Sequence, residues 1–395
     1  MPLIRRVLTF VALSALAFGC RTEPSAADFV LVPELDKIPY YDRPSLPVTK
    51  ETRQYVIGSD YLPPSVAAAK GFLLGGRSRY ELRPTGLVLR SDYSVAEIDS
   101  ARILVLDKRS RELFEYNFES GSTKQIARAG EGPGELQWLT DLKVADRRAY
   151  VSRSDRKISV FDCLDEPCTF EKQIGIPAPA GAIAIVSPDT FAVKMGSQIP
   201  MTGEISAEMP SVSAVTLTDS SGAVLSAFGE TYDIGGHWML DREMIKHSTI
   251  DYDASSASYL TATARFPFLC VFNSKGSLAR MYRIQDFVLG RQRYFPLSGA
   301  LEIVMEDFSR IASVAIFDRS LIVLNAQTLR NQREQDQSWV YDATTDYYLI
   351  DLSTNETDYL GSLSGPTSGP SERLIMLPSR LMLEQGGELF EVVAR

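Results

Sequence analysis

Residues 130–136 read Gly130-Glu131-Gly132-Pro133-Gly134-Glu135-Leu136. Three short alternating segments follow, Leu139–Ala145, Arg148–Arg153 and Lys157–Asp162, each closed by a polar turn. Segments of this length, rich in Val, Ile, Leu, Tyr and Phe and bounded by turn residues, are expected to be strands. The preceding stretch keeps the same rhythm in Ser94–Asp99, Arg102–Asp107, Leu113–Phe118 and Thr123–Ala127. Two successive units of about four short strands point to small sheets repeated around an axis, a β-propeller.

Working outward, the pattern yields about six units between residue 80 and the C-terminus. The third carries a polar insertion, Gly196–Pro210, and the fifth carries another, Gln327–Gln337, each between its second and third strands. The last unit shows only three strands: Arg373–Leu377, Arg380–Glu384 and Glu388–Val393. A ring must close, and an open sheet edge is a liability. Ser78–Arg83, just ahead of the first unit, is the natural donor of the missing strand. The expected fold is therefore an all-β, six-bladed β-propeller with four-stranded antiparallel blades, its ring closed by an N-terminal strand. Six blades are preferred to seven, although the long connection Gln285–Ile311 leaves room for another. Turns carry the residues that turns require, as in Asp219-Ser220-Ser221-Gly222 and Asn273-Ser274-Lys275-Gly276. No long amphipathic helical period is present.

The opening stretch also resembles a known family. Gly130–Glu135, followed by Asp141-Leu142-Lys143-Val144-Ala145-Asp146 and then Ile158-Ser159-Val160-Phe161-Asp162, is similar to bacterial six-bladed β-propeller lipoproteins related to NHL repeats. Arg102-Ile103-Leu104-Val105-Leu106-Asp107 repeats the pattern one blade earlier. Leu136 stands where an aromatic residue is common. The resemblance covers about Tyr80 to Asp162; it implies the fold and a location in the cell envelope, and it implies no reaction.

The ends agree with an exported chain. Arg5 and Arg6 precede an apolar run, Val7–Phe18, too short to span a bilayer. Leu16-Ala17-Phe18-Gly19-Cys20 resembles a lipobox, which would make Cys20 the lipidated first residue of the mature chain. Residues 1–19 are read as a lipoprotein signal peptide, 20–77 as a linker or N-terminal arm and 78–395 as the propeller. The expected location is the outer membrane, facing the periplasm or the cell surface. Loss of Arg5 and Arg6 takes the formal charge from −9 to −11. An acidic chain of mixed charge argues against nucleic acid as a partner. A monomer is expected.

Three cysteines remain beyond Cys20. Cys163 and Cys168 flank a turn-like loop and are read as a hairpin disulfide in an oxidising compartment. A metal pair is the alternative, with no second Cys/His pair nearby. Cys270 lies in an apolar run and reads as a core thiol.

Catalytic signals are sparse. His237 and His247 match no zinc motif, and no G-x-S-x-G elbow is present. The glycine loop lacks the Lys-Ser/Thr and the helix of a phosphate cradle and reads as structural. In a propeller the inter-blade connections and the loops between second and third strands share one face. That face would pool Trp138, His237, Trp238, Arg291, Arg293 and Tyr294, a set suited to a protein, peptide or glycan partner. Packing of the tryptophans between blades is the competing reading. No cofactor is expected. The alternative function is a calcium-dependent hydrolase, lactonase or lyase, its ion held in the central channel; Glu97, Asp141, Asp251 and Asp318 lie near inner-strand ends.

Overall fold

The computed structural model describes residues 29–31, 40, 42–50, 62–89, 92–177, 179–195, 215–229, 248–290, 292–295, 300–303, 307–317, 321–333, 339–366 and 372–395. Cys20, His237, His247, Trp238, Arg291, Asp318 and the insertion Gly196–Pro210 lie outside these residues. No helix among the described residues is long and apolar enough to cross a membrane.

Six antiparallel blades form the body. Blade 1 holds Tyr93–Asp99, Arg102–Asp107, Glu112–Asn117 and Ser122–Ala127; blade 2 holds Leu139–Ala145, Arg148–Arg153, Lys157–Asp162 and Thr169–Gly175. Blade 3 runs from Ala180–Ser187 to Val224–Phe228, blade 4 from Ser248–Asp253 to Leu278–Ile284, and blade 5 from Phe308–Phe317 to Thr357–Pro366. In each of these blades the strands pair in chain order. First strands of successive blades touch, from blade 1 round to blade 5, so they line the channel.

Burial follows position. The second strand of blade 1, Arg102–Asp107, is buried at every residue, because neighbouring blades cover both of its faces. Its sequence is accordingly a continuous apolar run with charged ends rather than an alternation. The outer strand Ser122–Ala127 faces water and is polar. In five blades an Asp or Asn at the end of the third strand, or just past it, accepts on its Oδ1 a backbone N–H two residues on: Asn117, Asp162, Asp219, Asn273 and Asp351. These side chains open the turn to the fourth strand and set the repeat.

Blade 6 closes the ring. Glu372–Met376, Leu381–Gln385 and Glu388–Ala394 are completed by Tyr80–Val88, with Leu82 opposite Val392 and Tyr80 opposite Ala394. Residues Leu46–Lys50 of the N-terminal segment also join the blades. Leu46–Val48 adds to blade 4 as a fifth, parallel strand, and Val48 is fully buried. Lys50 then reaches Asp346 of blade 5 at 2.8 Å.

A helix, Pro64–Gly75, lies in the stretch that the sequence reads as a linker or N-terminal arm. Pro64 opens it, three alanines support it, and Gly76 at φ +93° ends it. Val66, Ala69 and Phe72 bury one face against a core shared by blades 5 and 6, including Leu349, Leu360, Leu374 and Leu383. Lys70 pairs with Asp358 at 2.7 Å and Arg77 with Glu372.

One expectation changes, and the preference for six blades holds. The insertion Gln327–Gln337 is not simply a loop: the second and third strands of blade 5 extend to Leu321–Arg333 and Trp339–Asp351, paired as far as Arg333 opposite Trp339. Hydroxyl and amide side chains hold this polar ribbon, as in Ser309–Thr328 and Gln327–Thr345. No apolar periodicity marks it, because a ribbon has no core to face. The long connection after blade 4 carries a hairpin and no seventh blade. That hairpin, Gln292–Phe295 and Ala300–Ile303, pairs with Phe29–Leu31 in a three-stranded sheet that forms a unit of its own.

Candidate functional site

The glycine loop is a junction between blades 1 and 2. Gly134 sits at φ +76°, and a Cβ there would meet the Phe170 side chain at 3.1 Å, so both backbone and space call for glycine. The Glu135 carboxylate accepts the Gly132 N–H at 2.8 Å and pairs with Arg128 at 3.1 Å. The Gly132 N–H and then Arg128 hold Glu135 below the usual carboxylate range. Leu136 is fully buried. The loop thus spends its polar groups on itself.

It delivers Trp138 to the rim. Trp138 is 57% exposed and held at φ +50°, with its carbonyl accepting the Ser154 N–H at 2.8 Å. The Arg111 guanidinium stands 5.7 Å from the Trp138 ring centroid, and Arg111 is itself at φ +61°. Two non-glycine residues in the left-handed region meet at one contact, at a backbone cost of about 1 kcal/mol or more each. The competing reading, in which this tryptophan packs between blades, is therefore replaced by an open ring stacked with a cation.

Deeper in the channel, Lys143 of blade 2 lies 3.4 Å from Asp251 of blade 4. Burial lowers the Lys143 pKa, but Asp251 and Asp141 outweigh it and hold the ammonium above its usual range. Asp141 and Asp251 play matching parts. Asp141 accepts the Leu142 N–H at 2.9 Å and, from blade 3, the Ile183 N–H at 3.3 Å. Asp251 accepts the Tyr252 N–H at 3.1 Å and, from blade 5, the Ile316 N–H at 3.4 Å. Each ties its own inner strand to the next. Burial raises the Asp141 carboxyl despite Lys143 and Lys108. Glu97 accepts the Ser379 N–H of blade 6 at 2.9 Å. Glu97, Asp141 and Asp251 thus all accept backbone N–H groups, and Asp251 also pairs with the Lys143 ammonium. Among the described residues no group of three or more His, Cys, Asp or Glu is placed to hold a metal.

Arginines of three blades come near one another on this face. Arg265 lies in the turn between the second and third strands of blade 4, while Arg310 and Arg373 lie near the start of the first strands of blades 5 and 6. Burial, and then the charges of Arg265 and Arg373, push Arg310 below the usual arginine range. Its Nε donates to Gln327 Oε1 at 2.8 Å. Arg265 covers the Phe308 ring at 4.7 Å and Arg373 the Tyr93 ring at 5.6 Å.

Of the residues the sequence proposes, only Trp138 is described with its side chain on this face. Arg293 and Tyr294 are described as backbone in the separate three-stranded sheet, opposite Val30 and Phe29. Cys163 and Cys168 are disulfide-bonded on the opposite face, in the turn between the third and fourth strands of blade 2. That turn docks on blade 1: Arg102 donates to the Cys163 carbonyl at 2.8 Å, and the Cys168 N–H donates to Glu115 at 2.8 Å. Sequence reasoning missed Arg111, Lys143, Arg265, Arg310 and Arg373. The available signal was a cation inside an inner strand, as in Leu139–Ala145 and Phe308–Phe317.

No protein-family model matches the sequence, and neither does any curated protein. Solved structures are similar to it. One is a member of the DUF4221 family from Bacteroides vulgatus, at TM-score 0.51 and 9% identity over 80% of this chain and 98% of that one. Another is a candidate exported protein of Bacteroides fragilis, at TM-score 0.45 and 14% identity over 72% and 76% of the two chains. A third is virginiamycin B lyase from Staphylococcus aureus, at 0.43 and 8% identity over 80% and 99%. The likeness to the first agrees with the propeller fold and carries no chemistry; the other two add nothing to it.

Proposed function

We propose that this protein is a non-catalytic binding module of the cell envelope, holding a protein, peptide or carbohydrate partner on the face that bears Trp138. The exposed Trp138–Arg111 stack carries the reading. An open aromatic ring costs hydration, and left-handed backbone at both partners costs conformational energy. A pair kept at that cost is best accounted for by a ligand that covers it. The long ribbon of blade 5 rises from the same face and adds polar surface beside it.

The anchor belongs to the same proposal. Lipid on Cys20 would hold the propeller at the outer membrane, where such a module meets envelope partners. Fractionation of cells carrying the wild-type chain or Cys20→Ser tests this. The wild type is expected in the membrane fraction and the variant in the soluble one; a variant that stays with the membrane refutes the anchor. Partner class is tested by selecting the purified propeller against a displayed peptide library and a glycan array. Ligands whose binding is lost in Trp138→Ala support the proposal. Ligands indifferent to Trp138 and Arg111 contradict it.

A further inference from the structure

We infer that the rim around Trp138 takes an acidic glycan, a saccharide bearing carboxylate or sulfate groups, with Trp138 stacking on a sugar ring and Arg109, Arg111 and Arg156 engaging the negative groups beside it. This deepens the binding-face proposal and rests on it for the part played by Trp138.

The first support is where the charges stand. Trp138 bridges two turns between second and third strands: its ring meets Arg111 of blade 1 at 5.7 Å, and its carbonyl accepts the Ser154 N–H of blade 2 at 2.8 Å. The blade 1 turn reads Lys108-Arg109-Ser110-Arg111 and the blade 2 turn Ser154-Asp155-Arg156-Lys157. Arg109, Arg111 and Arg156 are exposed, and among the described residues none of them makes an ion pair. Acids nearby are taken by other partners: Asp92 by Lys108 at 3.2 Å, Asp155 by Arg153 at 2.7 Å, Glu135 by Arg128 at 3.1 Å and Glu112 by Gln125 at 2.9 Å. The repeat does not require these cations, since the same turn of blade 6, Gln385-Gly386-Gly387-Glu388, has none. A chain of formal charge −9 thus sets three uncompensated guanidinium groups about Trp138, an arrangement that attracts an anion.

The second support is that the turns are preset. Asp107 accepts the Arg109 and Ser110 N–H groups at 2.9 and 3.0 Å, and the Arg156 carbonyl accepts the Ile176 N–H at 2.9 Å. Arg156, like Arg111, holds a left-handed backbone, at φ +66°. The backbone is fixed while the guanidinium groups stay open to a forked acceptor, which carboxylate and sulfate both supply. The surface selects sugar over peptide. Peptides are held by an open strand edge or an apolar groove, whereas Trp138 stands among turns, next to Gln137 and against Arg111 and Ser154. At 57% exposure the ring keeps open surface beyond the Arg111 stack, a flat apolar area suited to the C–H face of a pyranose.

The test is binding of the full chain to an array of neutral, uronic-acid, sialylated and sulfated glycans and of acidic peptides, followed by calorimetric titration of the strongest ligand at low and at high sodium chloride. Binding confined to acidic glycans, and weakened by salt, is expected; the array separates carboxylate from sulfate. The double variant Arg109→Gln/Arg156→Gln is expected to weaken it about tenfold, Trp138→Ala by at least as much, and Arg83→Gln, on the closing strand, to leave it unchanged. Arg109→Lys/Arg156→Lys keeps the charge and should retain most of the affinity, which a folding defect would not allow. The same glycan with its carboxylates reduced or its sulfates removed should bind no better than the acidic form binds the Gln variant. Neutral glycans or acidic peptides as the ligands overturn the inference, as does acidic-glycan binding that Arg109→Gln/Arg156→Gln leaves intact; if such a ligand still requires Trp138, the binding-face proposal stands alone. Absence of any ligand overturns both.

Discussion

Lys143 and Asp251 are joined at 3.4 Å although a whole blade stands between theirs in the ring. Their side chains are 23% and 22% exposed, facing the channel. The pair fastens blade 2 to blade 4, while Asp141 and Asp251 fasten each of those blades to its successor. Polar contacts, rather than apolar packing, thus hold the centre of the ring. Lys143→Met removes the counter-charge of two enclosed carboxylates. It is expected to cost about 1–2 kcal/mol, discounted for partial exposure. Urea denaturation of Lys143→Met, Asp251→Asn and the double variant should show the two changes to be non-additive; additive costs would mean the pair is not coupled.

Lys194 is the opposite case, a cation with no carboxylate beside it among the described residues. It is 2% exposed, donates to the Ala262 carbonyl at 3.1 Å and to Thr263 Oγ1 at 3.3 Å, and burial brings its pKa down to about 8 from 10.5. The folded chain therefore releases this proton before the unfolded chain does. Below pH 8 both states carry the charge, and the folded state bears a burial cost of about 3 kcal/mol. As pH rises from 8 towards 10.5 the cost is relieved and stability increases. Lys194→Met should be more stable than the wild type at pH 7, and the advantage should shrink by pH 10. An advantage independent of pH, in denaturation at the two values, would contradict this.

The disulfide and the Arg102 network share one job, docking the turn of blade 2 on blade 1. Cys163 and Cys168 are five residues apart, so their bond closes a small loop and contributes about 2 kcal/mol in chain-entropy terms. Arg102 pairs with Glu115 and Asp99 and is 6% exposed. Its loss strands a buried Glu115 carboxylate and should cost about 3–5 kcal/mol. Arg102→Met is thus expected to lower the denaturation midpoint more than reduction does. The reverse order would show that the covalent bond dominates.

Phe72 tests where the folded body begins. It is 2% exposed in the core shared by the helix and blades 5 and 6. Phe72→Ala should cost about 3–4 kcal/mol. A chain begun at Ser78 should be destabilised by at least as much, since it also loses Val48, Val66 and Ala69. Equal stability of the shortened chain, measured by urea midpoint, would return residues 40–77 to the status of a linker.

What was legible in the sequence was what repeats. Short strands and Asx turns recur from blade to blade, the Gly134 loop marked the junction of blades 1 and 2, and the three-strand last unit pointed to its own donor. The helix was less legible because its apolar face is short: Val66, Ala69 and Phe72 sit amid prolines that read as linker. The blade 5 ribbon was hidden by composition, since Gln327, Arg330 and Gln332 look like loop residues until a paired strand is drawn beside them. The channel was hidden for a different reason. Lys143 and Asp251 lie in blades far apart in the chain, and only the curl of the ring brings them together. Trp138 stood out because tryptophan is rare here; Arg111 did not, although the contact between them gives the face its meaning.

The central claim is that this face holds the partner, and one comparison tests it most directly. A peptide or glycan selected on the wild-type chain is titrated calorimetrically into the wild type, Trp138→Ala and Leu164→Ala. Leu164 is 56% exposed in the disulfide turn on the opposite face. Loss of a stacked aromatic anchor should cost about 2 kcal/mol, roughly thirtyfold in Kd. The account predicts that loss for Trp138→Ala and an unchanged affinity for Leu164→Ala. Full affinity in Trp138→Ala, or a loss confined to Leu164→Ala, would contradict it.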